Sequence, residues 1–593
     1  MKKKYLILFL FFGLGAGFSS CKKDFLNLTP LDQISDPEFW KTEQDLELFM
    51  NGLYNVLPGW NLSGSGGHPL LDAGTDMAIT VGLFLGEKNR LDGAITIPSS
   101  GGGWSWTNVR NVNYFLANSD RVKTGSLKDH YTGEAYFFRA FNYFNLLKQF
   151  GDLPIVKTPL TVKDEAALYG PRSSRTDVVN FILSDLDLAV TKLKKKSEVP
   201  AQRISRDVAL LLKSRVALYE GTWEKYHQND AFKGTTDGKA FLTAAANAAK
   251  AVMDGAIYRL TTGNPNQVYY ELFNQVNLLS DPEIMLWKGY TFAFGSNALQ
   301  TWPNGSGYTQ DMANLYLCTD GLPIGVSPLY RGDKDIRNVV MNRDPRFVQT
   351  VMNPGDPITI NLKNDTTKYL LPLLGGAQTG PTGYESQKWR RPQLDPTTGG
   401  FSGDVPYIIF RYAEALLNYA EAKAELGELT QADVDLTINK LRARVGMPNM
   451  TLATIRTDPN WPDYGYTLSS ALREIRRERT VELMAEGFRR DDIMRWAAHK
   501  LIIGKRPKGA FYSDELKKAF PMDSVNISGT IDANLFVKGN YSAVENENYE
   551  QIKSDGIILL DNFIYDSPDL TQRILVPSGQ LDFSPQNVNL SKL

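Results

Sequence analysis

Apolar and small side chains recur at every third or fourth position in several stretches of this chain, the spacing that lines one face of an α-helix. The clearest stretch begins YIIFRYAEALLNYAEAKAELG, from Tyr407 to Gly427. Its stripe consists of Ile409, Tyr412, Ala413, Leu416, Ala420 and Ala424. The polar positions are expected to fall largely on the opposite, outer face: Arg411, Glu414, Asn418, Glu421 and Glu425.

A second helix follows after a short connection. Gly427 can adopt the left-handed conformation that ends a helix, and Thr430 with Asp433 can cap the start of the next one. Because so short a connection makes neighbouring helices run antiparallel, residues 407–445 predict a helical hairpin. The stripe of the second helix consists of Val434, Ile438, Leu441 and Val445.

The same periodicity predicts further helices at residues 37–57, 104–118, 134–150, 175–193, 206–220, 241–253 and 468–496, the last interrupted at Gly487. Small residues lie where paired helices would cross. The hairpins within about 134–254 and 407–500 therefore resemble degenerate tetratricopeptide-type repeats.

Long segments rich in glycine, proline, serine or threonine separate these helices, at about 58–105, 261–314 and 371–406. They predict irregular insertions with a few short strands. Loops of such length are usually functional surfaces rather than connectors. We expect a mostly α-helical single domain over residues 37–593, with ligand-facing insertions.

The N-terminus has the features of a bacterial signal peptide. A lysine-rich start precedes an apolar run from Tyr5 to about Phe18, which is too short to span a membrane. Ser19 and Ser20 then lead to Cys21, and a cysteine at this place indicates a lipoprotein, although the Ser-Ser pair departs from the commonest lipobox. We expect residues 1–20 to be removed, Cys21 to carry lipid, and residues 21–36 to form a tether.

The amino-acid composition limits the classes of binding partner. Lys and Arg total 65 against 66 for Asp and Glu, so no overall charge favours nucleic acid. With Cys21 acylated, Cys318 is the one remaining thiol of the two, which excludes an internal disulfide and indicates a small buried side chain.

Catalytic and metal-binding signatures do not occur in the sequence. It has no G-x-S-x-G elbow, H-E-x-x-H, P-loop or complete dinucleotide fingerprint. None of the four histidines has a second His or Cys at metal-ligand spacing. Carboxylates such as Glu478 and Asp491 stand among arginines and indicate structural ion pairs rather than acid–base chemistry. We expect no enzyme and no cofactor; whether a calcium ion braces a loop stays open.

Aromatic side chains in the glycine-rich segments are the candidate ligand contacts. An indole on a loop offers an apolar platform to the C–H face of a sugar ring, and nearby polar groups bond its hydroxyls. The alternative is that these rings pin the loops onto the helical core. The predicted site, with its two strongest candidates first, consists of Trp104, Trp302, Tyr308, Trp106, Trp60 and Asp76.

Several longer segments follow one another in a recognisable order. ISDPEFWKTEQDLELFMNGLYNVL stands near the start, GEAYFFRAFNYFNLLKQFGDLPIV covers residues 133–156, and RRERTVELMAEGFRRDDIMRW ends the series. In this order the chain resembles the SusD/RagB family, surface lipoproteins of Bacteroidetes nutrient-uptake systems, over nearly its whole mature length. The C-terminal RILVPSGQLDFSPQNVNL departs from the Leu-Pro-Ile-Pro and Gln-Asn-Pro segments usual in that family.

The resemblance implies a SusD-like α-helical fold with four tetratricopeptide-like hairpins. It also implies a TonB-dependent, SusC-like β-barrel as partner, over which the protein sits as a hinged lid, lipid-anchored in the outer membrane and facing outward. The lid would capture an oligosaccharide and deliver it to the barrel without a covalent step. The aromatic loops match no member closely enough to transfer a ligand site residue by residue.

A glycan-binding lid is therefore the leading hypothesis. The same lid role for peptides and a structural helical-repeat adaptor without a small ligand are the alternatives. Exposed parallel indoles would favour glycan capture, whereas a groove with backbone partners would favour peptides.

Overall fold

The computed structural model describes residues 39–60, 71–80, 104–161, 163–168, 170–230, 232–291, 306–373, 382–393, 403–502, 508–511 and 513–519. The expected signal peptide, Cys21, the expected tether and Trp302 lie outside these ranges.

The helices, in chain order, are α1 (Glu43–Leu53), α2 (Thr107–Asn118), α3 (Lys128–Phe150), α4 (Glu165–Leu168), α5 (Arg175–Lys192), α6 (Arg206–Tyr226), α7 (Lys239–Asp254), α8 (Val268–Asn274), α9 (Gln310–Leu315), α10 (Ile336–Val340), α11 (Pro345–Thr350), α12 (Tyr412–Glu425), α13 (Gln431–Leu436), α14 (Ile438–Arg444), α15 (Ser470–Glu482), α16 (Arg489–Arg495) and α17 (Asp514–Ala519). The strands are β1 (Ala78–Thr80), β2 (Ile284–Lys288), β3 (Ser306–Tyr308), β4 (Pro357–Ile360), β5 (Thr366–Lys368) and β6 (Tyr407–Arg411).

The longer helices form one continuous stack. α3 packs on α5, α5 on α6, α6 on α7, α7 on α12, and α12 on α15, while α1 and α2 pack against α3. This architecture confirms the predicted mostly α-helical fold with short strands. Among the described helices, none is both long and apolar enough to cross a bilayer.

The crossing of α6 and α7 depends on a glycine. A Cβ atom on Gly221 would lie 2.8 Å from the backbone nitrogen of Leu242 and 3.0 Å from the carbonyl oxygen of Gly238. Backbone atoms cannot yield at that separation, so only glycine permits the observed approach. Ala245 is fully buried along the same crossing, as the small-residue pattern predicted, and Ala249 is also fully buried there.

The short strands pair antiparallel in three two-stranded sheets, β1 with β3, β2 with β6, and β4 with β5. The stretch from Tyr407 to Arg411 was expected to begin a helix, but it is strand β6, with Arg411 opposite Ile284 and Tyr407 opposite Lys288. All five residues of β6 are buried. A short apolar run buried on both faces is equally compatible with a central strand, and pairing with β2 decides the outcome here.

The prediction that α12 has a solvent-facing outer side is wrong, because α12 lies between α7 and α15 and is covered on both sides. The polar residues placed there are all buried: Arg411, Glu414, Asn418, Glu421 and Glu425. Arginines compensate the carboxylates. Glu421 binds Arg495 at 2.6 Å, and Glu425 binds Arg476 at 2.8 Å.

Helix boundaries follow their capping residues. Thr42 and Asp45 form a capping box, so α1 begins at Glu43 rather than near residue 37. Ser174 caps α5 by accepting from the backbone N–H of Asp177. Thr430 and Asp433 form the predicted capping box of α13.

Two predicted helices are each divided. The second helix of the 407–445 hairpin breaks at Thr437, whose φ of −126° and ψ of −85° are not helical. The predicted helix 468–496 breaks between α15 and α16, where Ala485 and Gly487 both have positive φ. Cys318 is free and buried, as predicted.

Candidate functional site

A cavity of about 340 Å³ opens between α3, α6, β6 with α12, and the turn that joins α15 to α16. We call it the central cavity. Its volume lies in the range of small-molecule sites in proteins. Its lining includes Val56, Pro58, Leu71, Phe141, Phe144, Asn145, Lys148, Arg215, Leu218, Tyr219, Tyr407, Arg411, Glu414, Arg479, Glu486, Phe488, Asp491, Asp492 and Arg495.

Helical periodicity explains which side chains of α3 and α6 form the two longest walls of the cavity. On α3, Phe141, Phe144, Asn145 and Lys148 follow the spacing i, i+3, i+4 and i+7, so they share one face. On α6, Arg215, Leu218 and Tyr219 repeat the first part of that spacing. Each helix therefore presents apolar rings and long polar side chains to the same space.

The mouth of the cavity carries an ion pair between distant parts of the chain. Lys148 Nζ lies 2.8 Å from Asp491 Oδ2, and the two side chains are 26% and 32% exposed. Asn145 is exposed beside them on α3. The mouth therefore offers hydrogen-bond donors and acceptors together, the mixture that sugar hydroxyls require.

A second ion pair lies in the wall. Arg215 donates from Nε and Nη2 to the two oxygens of Glu414, at 2.6 and 2.7 Å. Its guanidinium also lies 4.3 Å from the ring centroid of Phe410 and 5.1 Å from that of Phe488. The bidentate pair and the ring contacts fix the guanidinium in one orientation.

Aromatic rings line the cavity between these charges. Phe144 and Tyr219 meet edge to face at 5.4 Å, and the Lys148 ammonium lies 5.0 Å from the Phe144 ring. Tyr407 lies on the opposite side, where burial raises the pKa of its hydroxyl. Rings of this kind can pack against the C–H face of a sugar.

Buried ion pairs form the floor. Arg411 bonds Glu486 at 2.7 Å, and Arg479 bonds Asp492 at 2.9 Å. Arg495 bonds both oxygens of Glu421, at 2.6 and 2.8 Å, and Trp496 Nε1 donates to Glu421 at 2.8 Å. These contacts confirm the predicted structural ion-pair network.

Two carboxylates of the cavity, Glu486 and Asp491, are poorly suited to acid catalysis. Burial alone would raise the pKa of Glu486, but Arg411 and Lys388 lower it below its usual value. Burial would likewise raise the pKa of Asp491, and Lys148 with Arg490 lowers it. A general acid needs a raised pKa, and neither group has one. The arrangement is suited to binding.

Two of the predicted site residues, Trp104 and Trp106, meet at the start of α2. Their rings meet edge to face at 5.4 Å, Trp104 also contacts Phe150 at 4.9 Å, and the Arg172 guanidinium lies 4.2 Å from the Trp104 ring. Trp104 is 4% exposed. Within the described residues, both indole N–H groups are buried without a hydrogen-bond partner.

Trp60 lies behind the wall of the central cavity. Its ring meets Tyr407 at 4.7 Å and Trp389 at 5.2 Å, and its Nε1 donates to the carbonyl of Val405 at 2.7 Å. Trp60 therefore supports the cavity-lining Tyr407 instead of facing the cavity.

Tyr308 and Asp76 lie together near the β1–β3 pair. Tyr308, 1% exposed, stands opposite Ala78. Asp76 accepts two hydrogen bonds from Arg489, at 2.8 and 2.6 Å, and so ties this segment to the start of α16. Asp76 itself does not line the central cavity.

Exposed platforms were expected for these rings, but the structure packs Trp60, Trp104 and Tyr308 inside the protein. The physical reason is that each ring covers apolar core that its irregular segment would otherwise leave open. Ligand contact by the predicted set stays a prediction, and Trp302 and Cys21 lie outside the described residues.

The sequence pattern does not distinguish the residues of the central cavity from core residues. On α3 and α6, they share helix faces with ordinary core positions, so their periodicity carries no separate signal. A usable signal did exist in GFRRDDIMRW, where Gly487 interrupts a charged helix and aims Phe488 and Asp491 into the cavity. Within the described residues, no group of three or more His, Cys, Asp or Glu side chains could hold a metal ion.

Comparison with known proteins gives consistent matches. A model described as the SusD family matches residues 280–572, and a model described as starch-binding associating with outer membrane matches residues 105–218. SusD-like protein P38 of Formosa agariphila is 24% identical over 502 residues, which span 80% of this chain and 88% of the relative.

Solved structures share the fold. A SusD-like carbohydrate binding protein from Bacteroides fragilis superimposes with a TM-score of 0.65 at 23% identity, covering 88% of this chain and 99% of that protein. Another SusD-like protein from Bacteroides fragilis gives a TM-score of 0.63 at 24% identity, with 82% and 92% covered. The family predicted from the ordered segments is confirmed: this chain belongs to the SusD family.

Proposed function

We propose that this protein binds an oligosaccharide in the central cavity and delivers it, as a lid, to a SusC-like TonB-dependent β-barrel. The observation that carries the proposal is the cavity itself. Its mouth combines the Lys148–Asp491 pair with the exposed amide of Asn145, and its walls carry aromatic rings. Hydroxyls need donors and acceptors in alternation, and sugar C–H faces need flat apolar surface.

Family membership supports the choice of ligand. One matching model is described as starch-binding, and a structural relative is described as carbohydrate binding. Peptide capture would favour a groove with free backbone partners, whereas the central cavity is lined by side-chain ion pairs. Its carboxylates are matched by cations, so the role is binding without a chemical step.

The proposed cellular setting follows from the N-terminus and the family. Residues 1–20 would be a signal peptide, Cys21 the lipid anchor, 21–36 a tether, and 37–593 one domain held on the outer face of the outer membrane. The matching model described as associating with outer membrane supports this placement. Co-purification of a barrel from cells expressing the tagged lipoprotein tests the partnership, and its absence after mild detergent extraction would argue against the lid.

Calorimetric titration of residues 22–593 with α- and β-glucan oligosaccharides tests ligand binding. Among the described residues the Asn145 side chain has no hydrogen-bond partner, so Asn145→Trp places a large ring at the cavity mouth without breaking one of these bonds. We expect it to abolish binding. The matched control is Asn247→Trp on α7, an exposed asparagine that does not line the cavity. Equal binding by both variants, or binding only to a peptide pool, would refute the oligosaccharide site.

A further inference from the structure

A second cavity, of about 170 Å³, lies between α14, the first turns of α15, and two connecting segments at 320–323 and 448–456. Arg442 from α14 and Glu474 from α15 both line it. We call it the Arg442–Glu474 pocket. Among the described residues, none lines both this pocket and the central cavity, so the two are separate.

Arg442 faces the pocket with an unused donor. The residue is 4% exposed. Its Nε donates to Glu478 at 2.5 Å, and its Nη1 donates to the carbonyl of Pro448 at 3.3 Å. Within the described residues, Nη2 makes no hydrogen bond; it lies 4.0 Å from Glu474 Oε2, beyond hydrogen-bond reach.

Glu474 faces the pocket with an unused acceptor. The residue is 5% exposed. Its Oε1 accepts hydrogen bonds from Trp461 Nε1 at 3.1 Å and from Arg477 Nε at 3.2 Å. In the part of the chain that the structure describes, Oε2 has no such partner. Because both residues line the pocket, this side-by-side donor and acceptor can bond a ligand that enters it.

The charges around the pocket select against charged ligands. A carboxylate would meet Glu474 and Asp320, whereas an ammonium would meet Arg442 and Arg456. A neutral vicinal diol suits both unused groups, because one hydroxyl can accept from Nη2 while its neighbour donates to Oε2. Prolines 323 and 448 and Ile455 add apolar wall for the carbon skeleton.

We propose that the Arg442–Glu474 pocket binds a single neutral sugar residue through two adjacent hydroxyls. Its volume is about half that of the central cavity and suits one ring. The pocket and the central cavity are offset along α15: Glu474 lines the one and Arg479 the other, five residues apart and about 7.5 Å along the helix axis. The protein would therefore hold carbohydrate at two places, which raises its apparent affinity for long chains.

Trp461 provides a local probe, because its indole N–H bonds the same carboxylate. The full chain without its signal peptide is labelled with 5-fluorotryptophan and titrated with methyl glycosides of neutral hexoses. The Trp461 ¹⁹F resonance is assigned with Trp461→Phe. We expect a saturable shift of this resonance, and none with cyclohexanol, which lacks a second hydroxyl.

Two variants test the assignment. Glu474→Gln replaces the free acceptor with a donor and should weaken the titration at least tenfold, whereas Glu428→Gln, an exposed residue outside the pocket, should leave it unchanged. Thr451→Trp at the exposed rim should abolish the shift with Tm unchanged. An unshifted Trp461 resonance, or equal affinity in wild type and Thr451→Trp, overturns the proposal. Asn145→Trp closes only the central cavity, so failure of one site is distinguishable from failure of the other.

Discussion

Lys148 and Asp491 meet at 2.8 Å across the mouth of the central cavity, although 343 residues separate them in the chain. One comes from the end of α3 and the other from α16, so the pair joins the first and last parts of the helical stack. Both side chains are partly exposed. A ligand entering the cavity must therefore meet a positive donor and a negative acceptor together.

Lys148→Met should weaken oligosaccharide binding about tenfold, because a hydrogen bond from a charged donor contributes roughly 1.5–3 kcal/mol. Folding stability should change by less than about 1 kcal/mol, since the ion pair is partly solvated. Calorimetry and chemical unfolding measure the two effects. Lys192→Met is the matched control, because Lys192 pairs with Asp129 at 2.7 Å on the surface. If both substitutions reduce affinity equally, the mouth has no special role.

Arg495→Met should be severely destabilising. It removes the cation that bonds both oxygens of buried Glu421, and an uncompensated buried carboxylate costs about 3–5 kcal/mol. Urea unfolding measures the loss. Arg337→Met provides the contrast, because Arg337 pairs with Asp335 and Glu515 while about half exposed, and should cost less than about 1 kcal/mol. Similar losses in the two variants would contradict a structural role for the floor.

Asp72 should make stability fall as pH rises through mildly acidic values. Burial raises the pKa of its carboxyl to about 6, although backbone N–H groups of Arg489 and Ala485 oppose the rise. The unfolded carboxyl titrates near pH 3.9. Between these values, the folded state holds the proton more tightly, so ionisation disfavours folding by up to about 3 kcal/mol above pH 6.

Asp72→Asn removes this titration. The free energy of unfolding of the wild type, measured relative to Asp72→Asn, should decrease by about 2–3 kcal/mol between pH 4 and pH 7. Urea unfolding of both proteins across that range provides the measurement. A difference that stays constant with pH, or one that grows as pH rises, would show that Asp72 does not titrate as described.

Two substitutions of Trp104 distinguish a packing role from a ligand-contact role. Trp104→Ala should cost about 3–5 kcal/mol of stability, because it empties space against Trp106, Phe150 and Arg172. Trp104→Phe keeps most of that packing and should leave oligosaccharide affinity in the central cavity unchanged. Thermal unfolding and calorimetry on both variants test this. A more than fivefold loss of affinity in Trp104→Phe would restore the predicted tryptophan site.

Local sequence rules predicted much of the scaffold. Capping by Thr430 with Asp433, the end at Gly427 and the alanine-rich crossings all depend on neighbouring residues. The burial of Glu421, in contrast, does not depend on neighbouring residues. It is decided by α15 and α16, which bring Arg479 and Arg495 to cover α12 from a distant part of the chain. Helical periodicity alone therefore assigned a charged inner face to solvent.

The candidate site was harder to predict for the same reason. Phe144 and Tyr219 belong to separate helices, and only tertiary packing turns their faces into one cavity wall. The aromatic residues of the loops were visible in the sequence, but their exposure was not. Trp60 illustrates this, because its ring supports Tyr407 from behind.

Hydrogen–deuterium exchange with and without a bound oligosaccharide tests the central cavity most directly. The ligand should slow exchange in peptides covering 141–150 and 487–495, which carry the mouth and walls, and the effect should vanish in Asn145→Trp. Peptides covering 104–118, around Trp104 and Trp106, should be unchanged. Protection confined to 104–118, with none at 141–150 or 487–495, would contradict binding in the central cavity.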